Sequence, residues 1–352
     1  MNDHYYRLKV RDIIQETQKA ITIVFHQPEP VMEYRSGQFL ALISEIDGKE
    51  VRRSYSFCSA PEIDQDLAVT VKRVDGGLMS NFLPDHLEID DELKVQEPMG
   101  HFTIDMDPSN KRHLVMVAGG SGITPFMSHI KSILKWEPNS IISLIYANRN
   151  IDSIIFKKEL EELQAKIEGR FHVIYILDEA PLTWQGPSGL LNPEMLKEIL
   201  HRIPDWGVDN TLYLMCGPEG MMHNVETFLA DYGIPSGSLF KESFVTPIID
   251  KVQDDDADGE LKTREVVVVY DGEEHKFTVE PDSTILETAL DMDIDLPYSC
   301  QSGLCTACRG KLLSGKVKLD EEEGLSDSER DEGYVLTCVG HPLTDDVKIE
   351  IG

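Results

Sequence analysis

Four cysteines in the last part of the chain restrict what this sequence can fold around. Cys300, Cys305 and Cys308 are separated by four and two residues, and Cys338 follows after 29 more. The whole chain has 352 residues and six cysteines, which is few for a secreted scaffold held by disulfides. Zinc sites usually contain two C-x2-C pairs or histidines. The spacing therefore favours another thiolate site, with zinc or structural thiols as alternatives.

The same spacing is typical of a plant-type [2Fe-2S] cluster. Thiolates are soft, charged donors that suit iron. Ser302, Gly303, Thr306 and Ala307 are small enough to let backbone N–H groups point at the sulfurs, which tunes the potential. We therefore predict a [2Fe-2S] cluster with all four cysteines as ligands.

The segments around these cysteines support the prediction. The stretch REVVVVYDGEEHKFTVE predicts two strands joined at Asp271-Gly272. DSTILETALDM predicts a short helix with Asp282 or Ser283 as its N-cap, and GYVLTCVGHPL predicts a strand carrying Cys338. From about Arg264 to its end, the sequence resembles the plant-type ferredoxin family, which implies a β-grasp fold.

A cluster passes single electrons, whereas a nicotinamide delivers a hydride, and a flavin is the usual converter between them. Arg53-Ser54-Tyr55-Ser56 supplies candidates for a flavin phosphate, ring and nitrogen, although an ordinary β-strand is an alternative. VTVKRVDGGLMSNFL predicts a strand, a turn at Gly76-Gly77 and a helix beginning near Ser80, an arrangement that binds anions. Short strands and turns in this part of the chain predict a small β-barrel.

In the middle of the chain, strands alternate with helices, which predicts a doubly wound parallel sheet. HLVMVAGGSGITPFMSHIKSIL is a strand, a glycine turn and a helix, and Gly119, Gly120 and Gly122 permit close backbone approach. AGGSGITP, YANR and MCGPEGM are all expected at the carboxyl ends of strands, where ligands bind. Arg149 could pair with a 2′-phosphate or lie at the surface against ribose or pyrophosphate.

Residues 1 to about 245 resemble the ferredoxin–NADP reductase superfamily in Arg53-Ser54-Tyr55-Ser56, GGSGITP and Cys216-Gly217-Pro218. The resemblance implies that the first string binds the flavin and the second covers the pyrophosphate and nicotinamide. It places the cysteine of the third string near the nicotinamide. Phe244 would match an aromatic residue that shields the flavin, with Glu242 near it; core packing is the alternative for Phe244.

The resemblance implies FAD rather than FMN, and NADPH in preference to NADH. Ser56, Cys216 and Glu242 are expected nearest the reacting atoms, and Cys216 shapes the site because hydride transfer needs no nucleophile. The expected cofactor-binding residues are Arg53, Ser54, Tyr55, Ser56, Lys72, Val74, Gly77, Met79, Ser80, Gly120, Thr124, Arg149, Cys216, Gly217, Pro218 and Phe244.

The predicted domain order is an FAD-binding antiparallel β-barrel (1–108), an NAD(P)-binding α/β domain (109–246), an acidic linker (247–262) and a [2Fe-2S] ferredoxin domain (263–352). This order resembles the reductase components of multicomponent oxygenases, above all those of phenylacetyl-CoA epoxidases and also those of ketosteroid hydroxylases. It implies electron transfer from NAD(P)H to an oxygenase component, expected to be a diiron protein. A diaphorase and an electron-storing carrier are the alternatives.

The net charge of −30 makes nucleic acid and anionic membranes unsuitable partners. The charge fits solubility or steering toward a basic protein. No apolar run reaches the roughly 18 residues of a membrane span, and the N-terminus has no apolar signal segment. We therefore expect a cytoplasmic protein.

Overall fold

The computed structural model describes residues 5–46, 48–244, 262–281, 283–292, 294, 296–298, 303, 306–320 and 324–351. The chain forms two compact units, and the first ends at Phe244. Of the predicted linker, residues 247–261 lie outside the described residues, as do the predicted ligands Cys300 and Cys305. Within the described ranges, no helix is long and apolar enough to cross a bilayer.

The first unit begins with a closed antiparallel barrel, as predicted. Its elements are β1 (Tyr5–Thr17), β2 (Ala20–Phe25), β3 (Phe39–Ile46), β4 (Lys49–Ser56), β5 (Leu67–Lys72), α1 (Leu78–His86) and β6 (Glu92–Gln96). The strand order is β4-β3-β6-β1-β2-β5, and a bridge between Phe57 and Val69 joins the two outer strands. Alternate apolar residues, such as Leu67, Val69 and Val71 on β5, fill the core.

The rest of this unit is the predicted doubly wound parallel sheet. Its elements are β7 (His113–Gly119), α2 (Ile123–Trp136), β8 (Ile141–Asn148), α3 (Lys157–Lys166), β9 (Phe171–Leu177), α4 (Pro193–Leu200), β10 (Thr211–Cys216), α5 (Glu219–Asp231) and β11 (Leu239–Glu242). The strand order is β11-β10-β7-β8-β9. One face packs against α2 and α3, the other against α4 and α5. The order reverses between β7 and β10, where ligands bind in such sheets.

Two local features of this sheet were not predicted. Helix α4 begins with an N-cap at Asn192, whose side chain accepts a hydrogen bond from the Met195 N–H group, and Pro193 follows it. Phe156 directly precedes α3 and adopts a left-handed φ of 59°. Asn followed by Pro is a recognisable helix start, so α4 has a local signal in the sequence.

The second unit has a mixed sheet that agrees with the predicted β-grasp. Its elements are β12 (Arg264–Tyr270), β13 (Glu273–Val279), α6 (Ile285–Asp291), β14 (Arg309–Ser314), β15 (Val317–Leu319), α7 (Asp327–Asp331), β16 (Tyr334–Leu336), β17 (Gly340–Pro342) and β18 (Val347–Ile351). Five strands are ordered β13-β12-β18-β14-β16, and β15 pairs with β17. The hairpin turn at Asp271-Gly272 is confirmed, with φ values of 51° and 80°.

The predicted N-cap of α6 was wrong, because Thr284 caps the helix in place of Asp282 or Ser283. The Thr284 hydroxyl accepts from the Glu287 N–H group at 3.1 Å, and the Glu287 carboxylate accepts from the Thr284 N–H group at 3.0 Å. Such a capping box needs a hydroxyl three residues before Glu, and the pair Thr284–Glu287 has this spacing. Cys338 lies in a 3-10 turn (Thr337–Val339) directly after β16, rather than inside a strand.

A buried ion pair closes the end of α2. Glu137 is fully buried, and its carboxylate accepts from the Arg112 guanidinium at 2.5 and 3.1 Å. Asn110 and Ser140 donate to the same carboxylate at 2.8 and 2.7 Å. These hydrogen bonds to the Glu137 carboxylate all come from residues of the α/β domain, and they hold the end of α2 against the start of β7.

We expect Glu137→Gln to lower the free energy of unfolding of the α/β domain by about 3 kcal/mol, because it leaves the largely buried Arg112 cation without its anion. The measurement is urea denaturation followed by circular dichroism. Glu198→Gln is the matched control, since Glu198 pairs with Arg202 at 3.6 Å with 72% of its side chain exposed. Equal effects of the two substitutions would contradict a structural role for the buried pair.

Candidate functional site

The carboxyl ends of β7 and β10 meet through two glycine turns. A Cβ atom on Gly122 would collide with the carbonyl oxygen of Cys216, and one on Gly217 would lie 2.9 Å from the Cα of Gly119. A Cβ atom on Gly119 would lie 2.5 Å from the Cδ of Pro218. The structure thus brings two of the predicted loops into backbone contact at the switch point of the sheet.

The first of these turns leads directly into α2, and side chains hold its shape. Gly120 has a left-handed φ of 54°, and its carbonyl oxygen accepts from the Tyr146 hydroxyl at 3.0 Å. The Thr124 hydroxyl donates to the carbonyl oxygen of Ser121 at 2.8 Å. The N-terminus of α2 therefore opens at the switch point, in the position where such helices bind phosphate. The sequence placed Tyr146 in the YANR string at the end of a strand but did not predict its hydrogen bond to Gly120.

Lys72 extends from the barrel toward the same turn. A Cβ atom on Gly120 would lie 2.9 Å from the Lys72 Nζ atom. Burial, and then the neighbouring Lys19, lower the pKa of Lys72. Within the described residues, no acid forms an ion pair with its ammonium group. An anionic phosphate would offset both effects, so Lys72 fits a nucleotide site.

The predicted flavin string occupies the last residues of β4. The Arg53 guanidinium donates to the carbonyl oxygen of Arg52 at 2.7 Å, and Tyr55 packs against the barrel core, where burial raises its pKa. Ser56 is buried. The Ser54 hydroxyl is also buried, and none of the described residues forms a hydrogen bond with it. A buried hydroxyl without a protein partner fits a bound polar cofactor.

The turn after β5 is tied to the start of α1. The Val74 N–H group donates to the Ser80 hydroxyl at 3.2 Å, and the Asn81 amide donates to the carbonyl oxygen of Gly77 at 2.6 Å. Val74 is exposed. Met79 is only 1% exposed and belongs to the barrel core, so only its backbone is available to a cofactor.

Cys216 and Glu242 lie side by side on neighbouring parallel strands. They are register partners at the ends of β10 and β11, and both are buried. Phe244 follows β11 and is 40% exposed, which disagrees with the core-packing alternative. The sheet therefore brings two of the three predicted reacting-centre residues to the edge that carries the glycine turns.

Arg149 follows β8 and pairs with a residue that sequence reasoning missed. Its Nε atom donates to the Glu179 carboxylate at 2.8 Å, and the two side chains are 71% and 52% exposed. This hydrogen bond raises the pKa of Arg149 and lowers that of Glu179. The local signal that could have identified Glu179 is its position just after β9, the strand next to β8 in the sheet.

In the second unit, the structure places Cys308 and Cys338 at one end of a strand pair. Cys308 directly precedes β14 and Cys338 comes two residues after β16. The backbone N–H and the hydroxyl of Thr337 both donate to the carbonyl oxygen of Cys308 at 3.1 Å. Both cysteines are buried, and their soft donors fit an iron–sulfur cluster. The described residues include these two of the four predicted ligands.

Three family profiles match this chain in the predicted order. Residues 6–104 match the oxidoreductase FAD-binding domain, and residues 116–227 match the oxidoreductase NAD-binding domain. Residues 268–343 match the 2Fe-2S iron–sulfur cluster binding domain. The predicted FAD, nicotinamide and [2Fe-2S] cofactors are confirmed at the level of the domains, while the roles of individual residues stay predictions.

Curated relatives match along nearly the whole chain. One of the subunits of the 1,2-phenylacetyl-CoA epoxidase of Escherichia coli K12 is 33% identical, over 98% of this chain and 97% of the relative. The ferredoxin reductase component of the 3-ketosteroid-9-alpha-monooxygenase of Mycobacterium tuberculosis H37Rv is also 33% identical, over 99% and 96%. The glycine betaine monooxygenase reductase of Chromohalobacter salexigens is 30% identical, over 94% and 91%.

Solved structures show the same fold. Phthalate dioxygenase reductase, described as a modular structure for electron transfer from pyridine nucleotides to [2Fe-2S], has a TM-score of 0.66 and 22% identity, covering 99% of this chain and 98% of its own. A ferredoxin NADP+ reductase from Neisseria gonorrhoeae with bound FAD and NADP has a TM-score of 0.58 and 24% identity, covering 69% and 100%. At these identities the likeness concerns the fold.

We expect Gly122→Ala to weaken nicotinamide dinucleotide binding by about tenfold or more, because the added methyl group pushes the two turns apart and removes binding energy at a preorganised site. Isothermal titration with NAD+ and NADP+ measures the change. Gly237→Ala, in the turn before β11, is the matched control, because a Cβ atom there meets nothing within 4 Å. Unchanged affinity in the Gly122 variant would show that the contact between the turns is dispensable for the site.

Proposed function

Because this chain belongs to the flavin- and iron–sulfur-dependent reductase components of multicomponent oxygenases, we propose that it carries electrons from a reduced nicotinamide dinucleotide through FAD and a [2Fe-2S] cluster to an oxygenase. One observation carries the proposal: the contact of the glycine turns at the switch point, beside a flavin-binding barrel and in the same chain as a cluster-binding domain. When bound, FAD converts the two-electron chemistry of the dinucleotide into the one-electron chemistry of the cluster.

In this proposal the protein binds and orients, and the cofactors carry the reaction. The N-terminus of α2 and the Lys72 ammonium group bind the phosphates of the dinucleotide. Arg53, Ser54, Tyr55 and Ser56 hold the flavin from β4. The buried Ser54 hydroxyl supports this role, since it has no bond to any other described residue and a flavin would supply one.

Cys216 and Glu242 are proposed to border the reacting atoms. Their burial excludes water from that edge of the sheet, and water exclusion protects a reduced flavin from side reactions. The backbone carbonyl group of Cys216 lies so close to Gly122 that no side chain fits at Gly122. The buried Cys216 side chain is proposed to shape the site rather than to react. Phe244, exposed after β11, is proposed to cover the flavin ring.

The oxygenase partner that we propose is the phenylacetyl-CoA epoxidase component, a diiron protein. Support comes from the E. coli relative, which matches over nearly the full length of both chains. The ketosteroid and glycine betaine relatives are similar at 30–33% identity, so identity alone does not separate the three partners. The expected cytoplasmic location stays a prediction.

Anaerobic titration with NADPH, and separately with NADH, tests the relay. We expect the flavin absorbance to bleach and a reduced-cluster signal to appear in electron paramagnetic resonance. Cys305→Ser should keep the bleaching but lose the cluster signal and all support of the oxygenase, because it removes a thiolate ligand. Cys58→Ser, at a buried cysteine outside the predicted ligand set, is the control. It should keep the flavin bleaching, the cluster signal and the support of the oxygenase. Undiminished oxygenase support in Cys305→Ser would leave a diaphorase as the better description.

The partner is tested by reconstitution with purified oxygenase components. We expect product formation with the phenylacetyl-CoA oxygenase to exceed that with the ketosteroid or glycine betaine oxygenase by about tenfold or more, since complementary docking surfaces govern association rates. Ferricyanide reduction by the same preparation controls for flavin content. A higher rate with another oxygenase would reassign the partner while leaving the relay intact.

A further inference from the structure

The ends of β8 and β9 remain side by side for two residues beyond the regular strands. The Asp178 N–H group donates to the carbonyl oxygen of Asn148 at 3.0 Å, and the Glu179 N–H group donates to that of Arg149 at 2.7 Å. This backbone contact fixes the carboxylate of Glu179 beside the guanidinium of Arg149, with a 2.8 Å hydrogen bond between them. The pairing of β8 with β9 therefore brings the Arg149 and Glu179 side chains within hydrogen-bonding distance of each other.

The charges of two further carboxylates act on the same guanidinium. After the Glu179 hydrogen bond and charge, the charges of Asp178 and Asp75 also raise the pKa of Arg149. Asp75 belongs to the turn between β5 and α1, so it approaches from the barrel. Three acids thus act on one cation at the carboxyl edge of the sheet, and Asp75 also pairs with Lys19 at 3.4 Å. A phosphate that binds Arg149 must compete with the Glu179 carboxylate, which is hydrogen-bonded to it.

We propose that Glu179 determines dinucleotide specificity by competing with the 2′-phosphate of NADPH for Arg149. The inference rests on the proposed function and on the prediction from the sequence that Arg149 pairs with that phosphate. A phosphate must displace the Glu179 carboxylate from the guanidinium and then lie near two more acids. NADH carries only a hydroxyl group at this position and meets neither cost. Glu179 therefore lowers the preference for NADPH that Arg149 would otherwise produce.

A direct contact between Glu179 and the ribose hydroxyl of NADH would also favour NADH. The two explanations differ in their dependence on Arg149. Competition acts only through the guanidinium, so removing Glu179 has no effect once Arg149 is absent. A direct ribose contact, or direct repulsion of the phosphate by the Glu179 carboxylate, persists without Arg149. A double-mutant cycle over these two residues therefore separates them.

The experiment measures kcat/KM for ferricyanide reduction with NADPH and with NADH, using the full-length holoprotein. Glu179→Gln should raise the ratio of NADPH to NADH by about fivefold, the upper range for one exposed ion pair. In the Arg149→Gln background, Glu179→Gln should leave the ratio unchanged. Glu198→Gln, which neutralises another exposed carboxylate paired with an arginine of the same domain, should also leave it unchanged.

A binding measurement gives a second result that does not depend on turnover. Glu179→Gln should tighten binding of 2′,5′-ADP by the same factor and leave 5′-AMP unaffected, and the difference should shrink at about 0.5 M salt because the pair is exposed. An unchanged ratio in Glu179→Gln, or a shift that persists without Arg149, overturns the proposal. If neither dinucleotide bleaches the parent flavin, the proposed function fails, and the 2′,5′-ADP titration still decides the competition at Arg149.

Discussion

The backbone contact between the turns after β7 and β10 is the constraint on which the rest of the site depends. It exists because Gly119, Gly122 and Gly217 carry no side chains. With the turns in contact, α2 begins at the switch point, and the buried Cys216 lies at the adjoining end of β10. Any larger residue would separate the strand ends and move the helix N-terminus away from the cleft. The shape of the proposed nicotinamide cleft therefore depends on the absence of side chains at these three glycines.

The same helix is fastened to the flavin barrel. Lys131 on α2 pairs with Asp64 of the barrel at 3.2 Å and with Glu159 of α3 at 3.0 Å. At the next position along the helix, the hydroxyl groups of Ser132 and Ser36 lie 2.7 Å apart in the buried seam between the two domains. Because α2 presents the dinucleotide turn at one end and contacts the barrel along its length, dinucleotide and flavin sites are held in one rigid arrangement.

The sequence predicted features that depend on neighbours in the chain. Strand and helix periodicity placed the barrel, the parallel sheet and the hairpin at Asp271-Gly272, and the glycine turns followed from composition. It did not predict contacts made by distant residues. Tyr146 is indistinguishable from a core aromatic until the fold brings its hydroxyl to Gly120, 26 residues away. Glu179 lies 30 residues from Arg149, and only the parallel pairing of β8 with β9 makes them partners.

The distribution of charge suggests that different parts of the cleft provide affinity for the dinucleotide and the choice between NADPH and NADH. A chain with a net charge of −30 repels an anionic dinucleotide, so local cations must hold it. Lys72, at the glycine turn, is half-buried near a second cation and has a lowered pKa, so a phosphate bound there would relieve an unfavourable arrangement. Arg149 is already hydrogen-bonded to the Glu179 carboxylate, so a phosphate that binds there must displace it. In our proposal, the turn contributes affinity for any dinucleotide, and the end near Arg149 decides which one is preferred.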